Sequence, residues 1–333
     1  MSGHEQAQRI RRAFHDRFGE PALVVRGPGR VNLIGEHTDY NLGFVLPAAV
    51  DKSIWLALRP RQDDVCRFLA ADTGESFETT LPARASSGRG WPDYLLGVYA
   101  EMADDARTPS GVDCVFGGDL PIGSGMSSSA ALECGFAFGL NTLFELGYDR
   151  VSLARLGQRA EHRFAGVHCG IMDQFASLLG REGHVVRLDC RDLDYAYLPL
   201  DDAGLAIVLC DSHVRRALAA SGVYNARRAE CDAGVACLRA RHPEVQSLRD
   251  VTLAMLEDAR SALPAAVYAR CAFVVRENHR VLEVCEALAA HDHARVGHAM
   301  NESHRGLQSA YEVSCAELDL LADGARAVPG VFG

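Results

Sequence analysis

The chain has 333 residues, enough for one large or two ordinary domains around a sizeable core. Hydrophobic residues make up 48% and charged residues 23%, and a net charge of −10 argues against non-specific nucleic-acid binding. The N-terminal MSGHEQAQRIRRAFHDRF is polar and lacks the apolar core of a signal peptide, and no apolar run reaches bilayer-spanning length, so a cytoplasmic protein with no membrane, nucleic-acid or protein partner is expected.

Residues 5 to 18 read as an amphipathic helix. Ala22 to Val25 then read as a short strand, Gly27-Pro28-Gly29 as a turn, and Arg30 to Ile34 as a second strand. Glu36, His37, Asp39, Tyr40 and Asn41 follow where strand gives way to loop. Such a cluster reads either as a solvated turn or as a set of acceptors and donors for the hydroxyls of a small polyol. GFVLPAAVDKSIWLALRPR continues as one or two apolar strands. CRFLAADTGESFETTL reads as a hairpin turning at Asp72-Thr73-Gly74. Trp91 and Tyr94 head a helix with Pro92 in its first turn, and Trp91 reads first as a core anchor and second as a surface for a base.

The stretch DLPIGSGMSSSAALE, residues 119 to 133, reads as a strand end, a tight turn and a helix start. Gly123 and Gly125 permit φ > 0 and close backbone approach. Amide N–H groups left unpaired at the positive end of a helix suit a phosphate, while a serine-capped helix after a flexible turn is the plain alternative. The chain has a single lysine, Lys52, among 34 basic residues. No lysine follows the glycines as a Walker-type loop requires, and the protein-kinase motifs are absent. A nucleoside triphosphate would therefore be held by backbone amides, arginine or metal.

SLARLGQRAEHRFAG reads as a helix capped by Ser152 and ending at Gly166, with Glu161 near its end. VHCGIMDQFASLLG places Gly170 and Asp173 one turn apart at the start of another helix, and Asp173 stands among Ile171, Met172 and Phe175. HVVRLDCRDLDYAYLPL reads as a hairpin, and LAIVLCDS, from residue 205, as a buried strand. Helices are expected at about 213–241, 263–290, 293–308 and 315–327, with a domain boundary near Asp201-Asp202. His291, His293 and His298 read as a polar turn between helices. The eleven cysteines form no C-x-x-C pair, and several lie in apolar runs, so reduced, buried thiols are expected rather than disulfides or structural zinc.

Taken together, four segments resemble the galactokinase family. GRVNLIGEHTDYN at 29–41 is similar to its N-terminal signature, and PIGSGMSSSA to the phosphate loop shared across the GHMP kinases (galactokinases, homoserine, mevalonate and phosphomevalonate kinases). AEHRFAGVHCGIMDQF at 160–175 is similar to the segment carrying the family's catalytic aspartate, and SGVYNARRAEC at 221–231 to its substrate-contacting tyrosine segment. The resemblance implies an ATP- and Mg²⁺-dependent kinase that phosphorylates the C1 hydroxyl of galactose.

On that resemblance, Asp173 would orient or deprotonate the C1 hydroxyl, with Arg30 beside it. Glu36, His37, Asp39, Gly170 and Tyr224 would line the sugar pocket. Gly123, Ser124, Gly125, Met126, Ser127 and Ser128 would wrap the phosphates, Trp91 would lie beside the adenine, and Ser128 and Glu161 would hold magnesium. The implied fold is α+β in two domains, 1–202 and 203–333. The first would carry a mixed sheet with a left-handed βαβ unit, and the second would be ferredoxin-like. The family continues past a GVFG-like segment into a third glycine-rich motif, and this chain ends at Gly333, so the second domain is expected to be incomplete and turnover reduced. A non-catalytic galactose and ATP sensor and an N-acetylgalactosamine kinase are the alternatives. Ser129 and Ala130, a pair that the sensors lack, favour an enzyme.

Overall fold

The computed structural model describes residues 2–121, 123–200, 204–214 and 222–333. The backbone divides into two units, one made of residues up to Val31 with Ala49–Gly180, the other of Asn32–Ala48 with Arg181–Gly333. The boundary expected at Asp201-Asp202 lies outside the described residues.

In the first unit, helix α1 (Gly3–Phe18) starts at a capping box, with Ser2 Oγ accepting from the Glu5 amide and Glu5 accepting from the Ser2 amide. Strands β1 (Leu23–Asn32), β3 (Pro47–Pro60), β4 (Val65–Ala70), β5 (Glu75–Thr80) and β6 (Val112–Gly118) form a five-stranded sheet in the order β1-β3-β6-β4-β5, while the short β2 (Phe44–Val45) belongs elsewhere. The sheet is mixed, because β4 runs antiparallel to β5 and parallel to β6. Side chains alternate across a strand, so both faces of β3 must be covered. Ala57 packs with Val115 against Ile10 and Phe14 of α1. Leu56 and Leu58 instead reach toward Gly135 and Gly139 of helix α3 (Ser128–Leu143). Helices α2 (Trp91–Asp104), α4 (Arg150–Ala160) and α5 (Met172–Leu179) pack with α3 into one layer.

The hairpin expected at 65–80 forms in the predicted place. The Gly27-Pro28-Gly29 turn does not, and β1 runs straight through it. A Cβ on Gly27 would stand 2.1 Å from the Ala131 carbonyl oxygen, so this glycine serves close approach to α3 rather than a bend. Pro28 is tolerated because β1 is an edge strand, where a missing N–H breaks no sheet ladder on the open side. Helix α4 is capped by Asp149, which accepts from the Ser152 amide at 2.7 Å, not by Ser152 itself. After α4 the chain widens into a π-helical turn, Glu161–Ala165, closed by Gly166.

In the second unit, β2 pairs with β7 (His184–Asp189), and β7 with β8 (Tyr195–Pro199), giving an antiparallel sheet that includes the expected hairpin. Helices α6 (Val223–Arg239), α7 (Leu253–Asp258), α8 (Ala265–Ala289), α9 (His293–Ser309) and α10 (Ala316–Arg326) follow. Their shared core gathers Cys231, Val235 and Leu238 of α6 with Phe273, Val274 and Val275 of α8 and the fully buried Tyr311. Residues 215–221 of the helix expected from 213 lie outside the described residues. The strand expected at LAIVLCDS is not formed: residues 205–210 are exposed and belong to neither sheet among the described residues, with Val208 77% exposed. Apolar β-branched composition favours a strand only where a neighbour supplies the ladder hydrogen bonds. All eleven cysteines are free. No helix among the described residues is long and apolar enough to cross a membrane.

Candidate active site

In the first unit, Gly123 and Gly125 take φ values of +69° and +81°, and Ser127 a left-handed +58°, so the loop curls immediately before α3. The curl leaves Ser127 without the usual capping role. Its hydroxyl instead donates to Asp173 Oδ2. Arg30, at the C-terminal end of β1, donates from Nε to Asp173 Oδ1 at 2.7 Å and from a terminal nitrogen to the Gly125 carbonyl at 2.6 Å. Its own amide donates to the Met126 carbonyl at 3.2 Å. One guanidinium thus ties strand, loop and α5 together. Ser124 Oγ donates to the Pro121 carbonyl within the loop at 2.8 Å. Lys52, the single lysine, pairs with Asp119 at the foot of the loop at 3.1 Å.

Behind this pair lies a buried cluster. Glu161 accepts from Ser129 Oγ on Oε1 at 3.0 Å, and from Gln174 Nε2 at 2.7 Å and Cys169 Sγ at 3.4 Å on Oε2. Burial, and then the charge of Asp173, push the Glu161 carboxyl up to about 7. Glu133 is fully buried, and both its oxygens lack a hydrogen-bond partner. Burial first, then the charge of Glu161, raises its pKa well above the usual carboxyl range. Ser128, the serine expected at the metal, opens α3, but the hydroxyl that meets Glu161 belongs to Ser129. Neighbouring helical residues point about 100° apart, so one of two adjacent serines faces a given partner. Gly170 is buried just before α5. Trp91, the first residue of α2, packs edge-on to Phe116 at 5.0 Å and donates from Nε1 to Glu75 at 2.8 Å.

In the second unit, Glu36 accepts from Asn32 Nδ2 at 2.9 Å. His37 stands at φ +62°, and its Nδ1 lies 2.9 Å from Tyr40 Oη. Its ring packs at 4.5 Å from that of Tyr311 and 5.9 Å from that of Tyr224 on α6. Enclosure by these rings, and then the positive charge of Arg227, hold the His37 pKa down to about 3. Asp39 opens the helical turn Asp39–Asn41, and its Oδ1 accepts the Tyr40 amide at 2.9 Å. The polyol cluster read from sequence is therefore an ordered turn whose imidazole is neutral.

Sequence reasoning used Ser129 only to weigh enzyme against sensor, and passed over Gln174, Glu133, Tyr311, Glu277 and Asn278. The signal for the last two was present. Glu277-Asn278 interrupts the apolar run around Phe273–Val275 and Val281, and a buried polar pair on a helix usually has a specific partner.

Chemically, the two oxygens of Glu161 and Ser129 are hard donors of the kind magnesium accepts. Among the described residues no group of three His, Cys, Asp or Glu side chains forms a self-sufficient metal centre. A magnesium ion would thus need phosphate and water oxygens as well, and the residues present fit that arrangement.

The galactokinase galactose-binding signature matches residues 12–60, and the GHMP kinase N-terminal domain matches residues 93–181. The galactokinase of Roseiflexus sp. is 44% identical over 97% of this chain and 83% of its own length. That of Homo sapiens is 42% identical over 97% and 83%. A Lactococcus lactis galactokinase complexed with galactose superposes with a TM-score of 0.90 at 31% identity, covering 98% of this chain and 85% of that one. A Methanococcus jannaschii mevalonate kinase, at 15% identity and a TM-score of 0.60, shares the fold. With more than 40% identity to curated galactokinases across nearly its whole length, this chain belongs to the galactokinase family of the GHMP kinases.

Proposed function

We propose that this enzyme transfers the γ-phosphoryl group of ATP to the C1 hydroxyl of α-D-galactose, giving galactose 1-phosphate and ADP. The observation that carries the reading is the Asp173 carboxylate, held between the Arg30 guanidinium and the Ser127 hydroxyl. The C1 oxygen forms the new bond to phosphorus, the bond to the β–γ bridging oxygen breaks, and Asp173 orients the hydroxyl and takes its proton. Arg30 holds that carboxylate in place and offsets negative charge on the phosphoryl group in flight. Phosphoryl transfer depends mostly on positioning and electrostatics, and a carboxylate fixed at both oxygens suits that demand.

Backbone amides from Gly123 to Ser128 bind the phosphates at the start of α3, where the helix dipole favours negative charge. Ser129 and Glu161 would hold magnesium, which when bound would neutralise phosphate charge. Glu36, His37, Asp39, Gly170 and Tyr224 contact the sugar, with neutral His37 donating or accepting a hydroxyl hydrogen bond. Trp91 lies with the adenine. The Ser129–Glu161 hydrogen bond supports an enzyme over a sensor, since it uses the serine that the sensors lack.

The test is an ADP-release assay over galactose, glucose and N-acetylgalactosamine, with phosphorus NMR of the product. Galactose is expected as the preferred acceptor, with a C1 phosphate ester. Preference for N-acetylgalactosamine, or no ADP release above the sugar-free rate, would sink the proposal.

A further inference from the structure

We infer that Glu277 and Asn278, neighbours on α8, are positioning residues that clamp the two ends of the segment 35–44. The inference rests on the reading above, in which Glu36, His37 and Asp39 of that segment hold the sugar. At one end, Glu277 Oε1 accepts from the Gly35 amide at 3.1 Å and from the Glu36 amide at 3.2 Å. At the other end, Asn278 Oδ1 accepts from the Phe44 amide at 2.9 Å. Glu277 is fully buried. It also accepts from Ser303 Oγ of α9 at 2.7 Å and pairs through Oε2 with Arg280 at 2.7 Å. A buried carboxylate with both oxygens engaged by fixed donors is a rigid anchor.

The segment has good reason to need an anchor. Gly35, His37 and Leu42 all take positive φ, and two of these carry side chains that disfavour it. Such conformations persist only where surrounding contacts over-determine them. Asn278 also sets a limit on the chain beside it: a Cβ on Gly43 would stand 2.1 Å from Asn278 Oδ1, so the backbone passes directly over the amide. Inside the segment, Thr38 Oγ1 lies 2.8 Å from the Gly35 carbonyl oxygen and 2.6 Å from that of Phe44, closing the loop between the clamped ends. With the ends fixed by α8 and the middle tied across itself, Glu36, His37 and Asp39 are presented in one arrangement before any ligand arrives. Preorganisation of this kind lowers the cost of binding.

The test combines Glu277→Gln and Asn278→Ala with steady-state kinetics and amide hydrogen exchange of the ligand-free protein. Expected are a tenfold or greater rise in KM for galactose, a KM for ATP within twofold of the parent, and faster exchange confined to 35–44. Should Glu277→Gln fail to fold, Ser303→Ala removes one donor to the same carboxylate and should raise the galactose KM severalfold. An Asp39→Ala control separates the claims. Unchanged galactose binding in that control overturns the sugar reading, and the inference with it. A raised galactose KM in Asp39→Ala, with unchanged galactose KM in the clamp variants, overturns the clamp alone. Equal increases in both KM values, or exchange speeding up throughout the unit, would make the pair merely structural.

Discussion

Arg30 and Asp173 stand 143 residues apart in sequence, yet the guanidinium Nε meets the carboxylate at 2.7 Å with both side chains largely shielded. The same arginine holds the Gly125 carbonyl, so the carboxylate is fixed relative to the loop proposed to cradle phosphate. An Arg fork pairs well with a carboxylate because its donors are planar and preorganised.

Replacing Asp173 by Asn should therefore lower kcat by roughly 10²–10⁴-fold, the range for removal of a general base. The variant should still fold and bind nucleotide, since the amide preserves shape. A kcat within tenfold of the parent would remove Asp173 from the proposed role.

The serine proposed to serve the metal can be separated from its neighbour. Ser129→Ala removes one of the three donors to Glu161, whereas Ser128→Ala removes none of them. Titrations of activity against magnesium should show the half-activating concentration rising about tenfold or more for Ser129→Ala, equivalent to about 1.4 kcal/mol. Ser128→Ala should change it far less. The reverse order would reassign the site to Ser128.

Glu161 makes the site sensitive to pH. Its carboxyl is raised from 4.5 to about 7 in the folded protein. Between those values the folded chain holds a proton that the unfolded chain releases. The associated stability is fully present below about pH 4.5 and is lost as pH rises through about 7, by roughly 3 kcal/mol. On the proposed role of Glu161, binding of magnesium-nucleotide needs the carboxylate form, so at about pH 6.5 it should release a proton, and above about pH 8 it should not. Calorimetry in buffers of different ionisation enthalpy measures this directly. Buffer-independent heats at the lower pH would contradict it.

A chain of hydroxyls fixes the tautomer of His37. Cys231 Sγ lies 3.3 Å from Tyr311 Oη, which lies 2.6 Å from Tyr40 Oη, which lies 2.9 Å from His37 Nδ1. A phenol O–H is a stronger donor than a neutral imidazole N–H, so Tyr40 donates to Nδ1, and its oxygen then accepts from Tyr311, whose oxygen accepts from the thiol. His37 should then carry its proton on Nε2, readable in imidazole nitrogen chemical shifts. Tyr311→Phe should mix the tautomers and lower stability by about 1–3 kcal/mol through the unpaired groups left behind. A protonated Nδ1 in the parent protein would reverse the chain.

A second pH effect follows from the same residue. The pKa of His37 falls from 6.5 to about 3, so the unfolded chain takes up a proton that the folded one refuses. The associated stability is present above about pH 6.5 and lost as pH falls toward 3. His37→Gln should make thermal unfolding less dependent on pH across that window. An unchanged slope would mean that the ring is not held neutral.

Much of the local architecture was legible in the sequence. The hairpins at 65–80 and 184–199, the long helices of the second half, and the loop before α3 rest on turn residues, periodicity and short-range hydrogen bonds, all encoded within a few positions. The roles of Arg30, Glu161 and Asp173 rest on the resemblance of their segments to a known family, since by residue type alone Glu161 fits a solvated helix face and Asp173 a helix-dipole partner equally well. Other features depended on what lies opposite each residue in space. Gly27-Pro28-Gly29 looks like a turn until the Ala131 carbonyl is seen pressed against Gly27 and β1 is found at the sheet edge. Three consecutive serines are equivalent on paper, and only the left-handed backbone at Ser127 aims it at Asp173, while the phase of α3 aims Ser129 at Glu161. Glu277 sits 242 positions from Gly35, a separation at which periodicity and capping carry no information. Residues 205–210 have the composition of a strand but stay outside both sheets of the described residues, because ladder partners rather than composition decide pairing. Local chemistry is written in the chain, while the choice among chemically equal groups is made by packing.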